Sequence, residues 1–297
     1  MNKLKGLGVA LVTPMNEDGS IDFVGLKNLL LHTQKGVDYW VVMGTTGENA
    51  TLSKSEKRSI LDFVLVNNPK KLPIVWGWGG NNTKQLIEEI KTFDCSGITA
   101  FLSVSPYYNK PSQEGIYQHY MAIAAIAPRP IIIYNVPGRT ASNIEATTIV
   151  RLAKSSHKFI AVKEASGDLM QCMKIARDKP THFQLLSGDD ALTLPMISFG
   201  AKGVISVMAN ALPNEFSTMI RTALSGDFEN ATHQHLDLLA INDLLYEEGN
   251  PAGIKAAMEI QGICSREVRL PLVKLSKKNC DKLKQAMKTL KSHLVTV

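Results

Sequence analysis

Residues 159–166 read Phe159-Ile160-Ala161-Val162-Lys163-Glu164-Ala165-Ser166. An apolar run bounded by Ser and Gly predicts a strand over Phe159–Glu164. Working outward, similar runs occur at Leu7–Thr13, Tyr39–Gly44, Pro73–Gly77, Ile98–Ser103, Pro130–Asn135, Phe183–Ser187 and Gly203–Val207. Helical patterns, with apolar residues three and four apart, separate them: Ile21–Gln34, Ser53–Val66, Thr83–Thr92, Ser112–Ala125, Ile144–Ala153, Leu169–Ala176, Ala191–Ser198 and Asn214–Ala223. Ser53, with Glu56 three residues later, and Ser112 are capping signals. Strands alternating with helices indicate a parallel sheet, and eight uniform units favour a closed (β/α)8 TIM barrel over an open doubly wound sheet. The expected organisation is a catalytic barrel over residues 1–226 and a C-terminal helical segment, 227–297, packed on it. That segment holds Ala231–Tyr246, Ala252–Gln261 and Lys277–His293 and no strand.

Composition agrees with an α/β globular class. The chain has 297 residues, 44% hydrophobic and 20% charged, enough apolar material for a large core. No stretch approaches the eighteen or so apolar residues of a membrane span. Met1–Val12 is too short before its Pro-Met-Asn turn for a signal peptide, so a cytoplasmic location is expected. Cys95, Cys172, Cys264 and Cys280 form no CxxC motif and read as thiols in a reducing compartment. The net charge of +6 resides in the tail: Ser265–Val297 carries nine Lys/Arg against two Asp/Glu, the remainder 24 against 25. Lys274, Lys277, Lys278, Lys282, Lys284, Lys288 and Lys291 alternate with Leu and Met without interleaved aromatics. The pattern reads as the solvated face of a helix rather than a nucleic-acid surface.

In such a barrel, function sits at the carboxyl ends of the strands. That rule selects Gly44-Thr45-Thr46-Gly47-Glu48, Ser105-Pro106-Tyr107-Tyr108-Asn109, Tyr134–Thr140, Lys163-Glu164 and Ser187-Gly188-Asp189-Asp190. Strand alternation turns Ile160 and Val162 toward the helices, and Ala161, Lys163 and Ala165 inward. An ammonium in that interior is costly unless paired, which favours the neutral amine. A neutral amine among small neighbours can attack a carbonyl and form an imine. The competing reading is a core ion pair with Asp189 or Asp190, since Glu164 lies on the other face. Tyr134, 29 residues earlier and one strand away, can pass protons during imine formation, or can simply pack. Thr45 and Thr46 offer hydroxyls and backbone N–H groups that can bind a carboxylate or extend a hydroxyl chain from the tyrosine. Arg139 suits bidentate binding of a second carboxylate, or is a loop cation. No P-loop, GxGxxG or metal-ligand spacing occurs, so neither a metal nor an external cofactor is expected.

Together the Gly44–Glu48 turn, Tyr134-Asn135-x-Pro137 and Lys163-Glu164-Ala165 resemble the dihydrodipicolinate synthase/N-acetylneuraminate lyase family of class I aldolases, across essentially the whole chain. Pro106–Pro111 and Tyr134–Thr140 are most similar to the dihydrodipicolinate synthase branch. The resemblance implies that Lys163 forms a Schiff base with pyruvate, whose enamine attacks L-aspartate 4-semialdehyde on the diaminopimelate route to lysine. It also implies a proton relay of Tyr134, Thr45 and Tyr108, with Tyr108 supplied by a neighbouring subunit. A dimer is then the minimal unit and a homotetramer is expected. Thr46 would bind the pyruvate carboxylate and Arg139 the semialdehyde carboxylate. Backbone groups of Gly188 and Ile205 would line the site.

The chain departs from the family pattern at the lysine-feedback site, whose expected positions are Asn49, Lys54, Lys57, Asn81, Gln85 and Tyr107. Lys54 and Lys57 stand where some members have histidines, and Gln85 stands where an acid is expected. Asn81 and Tyr107 match. Extra cations and a missing carboxylate imply weak or absent inhibition by lysine. Two other readings are a pyruvate aldolase for a different aldehyde, which Arg139 opposes, and a non-catalytic barrel scaffold, which the full set of relay residues opposes. Neither involves nucleic acid or membrane.

Overall fold

The computed structural model describes residues 4–296, with side chains described as far as Leu290. Met1, Val297 and the Lys291 side chain therefore lie outside the described residues. The strands are β1 (Gly6–Ala10), β2 (Tyr39–Val42), β3 (Ile74–Gly77), β4 (Ala100–Val104), β5 (Ile131–Asn135), β6 (Phe159–Glu164), β7 (Gln184–Ser187) and β8 (Gly203–Ser206). They follow one another in sequence order around a closed barrel with parallel ladders. This is the TIM-barrel topology that eight alternating units require.

By its internal contacts the chain divides into two compact units. The first is built on residues 73–205 and carries β3 to β8. Its helices are α3 (Thr83–Thr92), α4 (Gln113–Ile126), α5 (Pro137–Thr140), α6 (Ala146–Ser155), α7 (Leu169–Asp178) and α8 (Thr193–Ser198). Side chains begin three of the six: Asn82, Ser112 and Asp168 each accept the N–H three residues on, satisfying donors that the first helical turn leaves open. The single turn α5 was not expected from periodicity, and Pro137 at its start is suited to the first helical position. Its strands are nearly continuous apolar runs, Ile131-Ile132-Ile133 being fully buried, as parallel strands covered on both faces require.

The β5–β6 ladder contains an irregularity. Ile131 pairs with Phe159 but Ile132 pairs with Ala161, so Ile160 has no counterpart. The bulge sets the following pairs, Tyr134 with Lys163 and Asn135 with Glu164.

The second unit comprises residues 6–72 and 206–297. It carries β1, β2, α1 (Phe23–Thr33), α2 (Lys54–Val66), α9 (Pro213–Ser225), α10 (Phe228–Tyr246), α11 (Ala252–Ile260) and α12 (Lys277–Thr296). The Ser53 capping box is complete: its hydroxyl accepts from Glu56 N and its N–H donates to Glu56 Oε2 at 2.8 Å. Gly8 is required where β1 meets β2, because a Cβ there would lie 2.2 Å from the Tyr39 ring. On α12 Leu283, Met287 and Leu290 are buried while Lys277, Lys278, Lys282, Lys284 and Lys288 are exposed, the amphipathic face that the spacing implied. Among the described residues no helix is long and apolar enough to cross a membrane.

Candidate active site

In the first unit, Lys163 and Tyr134 are direct register partners on the adjacent strands β6 and β5. Lys163 is 5% exposed, and its Nζ sits 4.3 Å from the centroid of the Tyr134 ring, within cation–π range. Among the described residues Lys163 forms neither a hydrogen bond nor an ion pair, so the core ion pair with Asp189 or Asp190 is not made. Asp189 instead accepts from the backbone of Ala191 at 3.0 Å and Leu192 at 3.3 Å, closing the turn after β7.

Gly188 forms the wall beside this amine. A Cβ at position 188 would stand 2.9 Å from Lys163 Cε, 3.0 Å from its Cγ and 2.8 Å from Ala165 Cβ. The Gly188 N–H donates to Glu164 O at 2.8 Å, tying β7 to the rung next to the lysine. Thus Gly188 adjoins the lysine stem directly and packs against Ala165, just beyond the end of β6. Ile205 is fully buried on β8.

The residues following the two reactive side chains hold the strands in register. Glu164 points away from Lys163 and is almost completely buried. Its carboxylate accepts from Ser166 N at 2.8 Å, Asn135 Nδ2 at 3.0 and 3.1 Å, and Gln171 Nε2 at 3.1 Å. Burial pushes its pKa above the usual carboxylate value, and the hydrogen bonds from Ser166, Asn135 and Gln171 oppose that shift. Asn135 also donates to Asn143 Oδ1 at 2.8 Å and accepts from Ile144 N at 2.9 Å. Asn143 Nδ2 donates to Gln171 Oε1 at 2.8 Å. The Tyr-Asn and Lys-Glu pairs therefore each combine one inward reactive side chain with one outward locking side chain. Reading each strand for its inward face alone missed this network.

Arg139 is exposed on α5, immediately after β5. The loop after β4 packs back on that turn: Tyr108 N donates to Thr140 O at 3.4 Å and Ser105 N to Tyr134 O at 3.0 Å. Tyr108 is 87% exposed and has φ +75°, the left-handed region that a bulky residue rarely adopts. Asn81 Nδ2 donates to Tyr107 O at 3.2 Å, which joins two of the feedback-site candidates. Gln85 is exposed and bonded to Glu89 at 2.9 Å.

In the second unit, Thr45–Gly47 forms a 3-10 turn after β2. Thr45 is exposed, whereas Thr46 is buried and accepts from Asn250 Nδ2 at 3.0 Å. Glu48 follows in the left-handed region with φ +54°. Its carboxylate is fully buried against Lys255 Nζ and accepts from Arg269 N at 3.0 Å. Lys255 also donates to Glu267 O at 2.6 Å. Burial holds the Lys255 pKa below the ordinary lysine value, opposed by the Glu48 charge. Lys57 Nζ donates to Asn49 Oδ1 at 2.9 Å, and Asn49 Nδ2 to Met43 O at 3.0 Å, so two further feedback-site candidates adjoin; Lys54 lies exposed at the start of α2. Neither Asn250 nor Lys255 was singled out from the sequence. A lone lysine in the apolar Ala252–Ile260 run was the available signal, the same kind that exposed Lys163.

The chain matches the dihydrodipicolinate synthetase family model over residues 3–290. It is 49% identical to the 4-hydroxy-tetrahydrodipicolinate synthase of Cytophaga hutchinsonii, with 96% of each chain covered. Among solved structures it resembles the lysine-bound enzyme of Cyanidioschyzon merolae, with 37% identity, TM-score 0.93 and coverage of 98% and 99%. It also resembles the chloride-inhibited, pyruvate-complexed enzyme of Acinetobacter baumannii, with 36% identity, TM-score 0.92 and coverage of 97% and 99%. A buried lysine without an ion-pair partner, a tyrosine paired with it on the next strand and these matches along the chain agree: the chain belongs to the dihydrodipicolinate synthetase family.

Proposed function

We propose that this chain condenses pyruvate with L-aspartate 4-semialdehyde to 4-hydroxy-tetrahydrodipicolinate, through an imine on Lys163. The observation that carries the reading is the Lys163 amine, buried without an ion pair, beside the Tyr134 ring and against Gly188. The amine adds to the C2 carbonyl of pyruvate, and the carbinolamine loses water to the imine. Loss of a C3 proton gives the enamine, whose carbon attacks the aldehyde. The substrate amine then displaces Lys163 from the imine carbon and closes the ring. The imine supplies the electron sink, so the sequence of steps needs neither metal nor external cofactor.

Tyr134, Thr45 and Tyr108 act as the proton relay, Tyr108 from a neighbouring subunit in a homotetramer assembled from dimers. The exposure and left-handed backbone of Tyr108 support a role outside its own subunit. Thr46 holds the pyruvate carboxylate, backbone groups of Gly188 and Ile205 line the pyruvate site, and Arg139 holds the semialdehyde carboxylate. The reaction belongs in the cytoplasm. The test is steady-state turnover by purified protein with L-aspartate 4-semialdehyde and with aldehydes lacking a carboxylate. Only the former should turn over efficiently, and Arg139→Ala should raise its KM at least tenfold while leaving the pyruvate KM near wild type, a loss in the range of one charge-assisted contact. Equal turnover of the uncharged aldehydes refutes the substrate assignment.

A further inference from the structure

We infer that Asn250 is a positioning residue: it sets the direction in which the Thr46 hydroxyl donates its proton. The inference rests on the reading above, in which Thr46 holds the pyruvate carboxylate. A threonine hydroxyl has one proton to donate and lone pairs with which to accept. Asn250 Nδ2 donates to Thr46 Oγ1 at 3.0 Å, so an amide donor occupies a lone pair of that oxygen. Among the described residues the Thr46 hydroxyl donates to no protein acceptor. Thr46 is 3% exposed, so its proton is not spent in bulk water either. A buried hydroxyl that accepts from the protein and has an unspent proton is preset as a donor, and a carboxylate has only acceptors to offer.

The same stretch of chain grips the turn at a second point. Lys255, five residues after Asn250, holds the carboxylate of Glu48, two residues after Thr46. Arg269 N takes the other oxygen of that carboxylate at 3.0 Å. Segment 250–269 thus sets both the place of the turn and the polarity of its buried hydroxyl, a role for the helical C-terminal region in this unit.

Asn250→Asp keeps the shape and replaces the amide donor by an acceptor. Its carboxylate accepts the hydrogen bond of the Thr46 hydroxyl and adds a negative charge beside the oxygen that is to meet pyruvate. The pyruvate KM should rise about ten- to a hundredfold, with kcat at saturating pyruvate within about threefold of wild type and the semialdehyde KM unchanged. Thr46→Val tests the underlying reading and should raise the pyruvate KM about tenfold or more. Asn250→Ala should raise it several-fold in wild type and have no further effect in Thr46→Val, because the hydroxyl it orients is gone. That cycle decides the matter if Asn250→Asp does not fold. If Thr46→Val raises the pyruvate KM and Asn250→Asp does not, the inference is overturned and the reading stands. If Asn250→Ala acts equally in both backgrounds, the inference is likewise overturned. An unchanged pyruvate KM in Thr46→Val removes the reading and the inference together.

Discussion

Gly188→Ala is the most economical perturbation of the lysine pocket. The added Cβ would lie 2.9 Å from Lys163 Cε, 3.0 Å from its Cγ and 2.8 Å from Ala165 Cβ. Carbon atoms pack at about 3.5–4.0 Å, so something must move by roughly 0.5 Å or more. Ala165 Cβ is fixed to the backbone at the end of β6, and Gly188 N is bonded to Glu164 O, so neither yields readily. The lysine stem is the softer body, and its displacement carries Nζ away from the Tyr134 ring. Overpacking of this kind costs about 1–3 kcal/mol of stability. The thermal midpoint should fall by several degrees, which leaves the protein folded at assay temperature. Misplacing a reacting atom on this scale lowers the rate by about a hundredfold. The assay is single-turnover imine formation with pyruvate, followed as borohydride-trappable adduct against time, together with kcat. The expected result is slow trapping and a loss of about two decades in kcat, in a protein with near-native circular dichroism. Trapping at the wild-type rate would refute the assignment of Gly188 as the wall of the lysine pocket.

Further outcomes follow from the same geometry. Glu164→Gln places an amide among three donors, from Ser166, Asn135 and Gln171, so at least one hydrogen bond becomes a donor–donor clash. A loss of about 1–3 kcal/mol in urea unfolding is expected, and an unchanged midpoint would refute the locking role. The Arg269 guanidinium bonds Glu56 and holds its pKa at about 2, below the ordinary carboxylate value. Because the folded-state pKa is depressed, the associated stability is present above about pH 4.5 and is lost as pH falls toward 2. After discounting for partial exposure it is about 1–2 kcal/mol. Arg269→Met should therefore lose stability at pH 7 and show a smaller further loss between pH 5 and pH 2.5; parallel acid denaturation curves would contradict this. Lysine titrated into initial-rate assays should inhibit weakly or not at all, given Lys54, Lys57 and Gln85 at the expected feedback positions; strong inhibition would remove that expectation.

The barrel was legible because each strand and helix carries its own period, and the units repeat in order. Strand starts were less so. Pro73 and Pro130 read as strand residues, but the ladders begin at Ile74 and Ile131, after a residue that has no N–H to contribute. The bulge opposite Ile160 left no signal, since Ile160 is as apolar as its neighbours. Lys163 and Tyr134 were legible as polar groups at inward positions of apolar strands. Glu164 was legible only as facing away, and its partners come from three separate segments. Lys255 showed only as a lysine in an apolar run and Asn250 not at all, and neither revealed its partner, because Thr46 and Glu48 lie 204 and 207 residues away. Pattern within a segment reports burial; it does not report which distant polar group completes a buried one.

One amine, that of Lys163, carries the proposed chemistry. Borohydride reduction with pyruvate, followed by peptide mass spectrometry, distinguishes Lys163 from Lys255, the two buried lysines among the described residues. A single reduced pyruvate adduct is expected on Lys163, absent without pyruvate, with Lys255 unmodified because it is committed to Glu48. No adduct, or an adduct on Lys255 in place of Lys163, would contradict it.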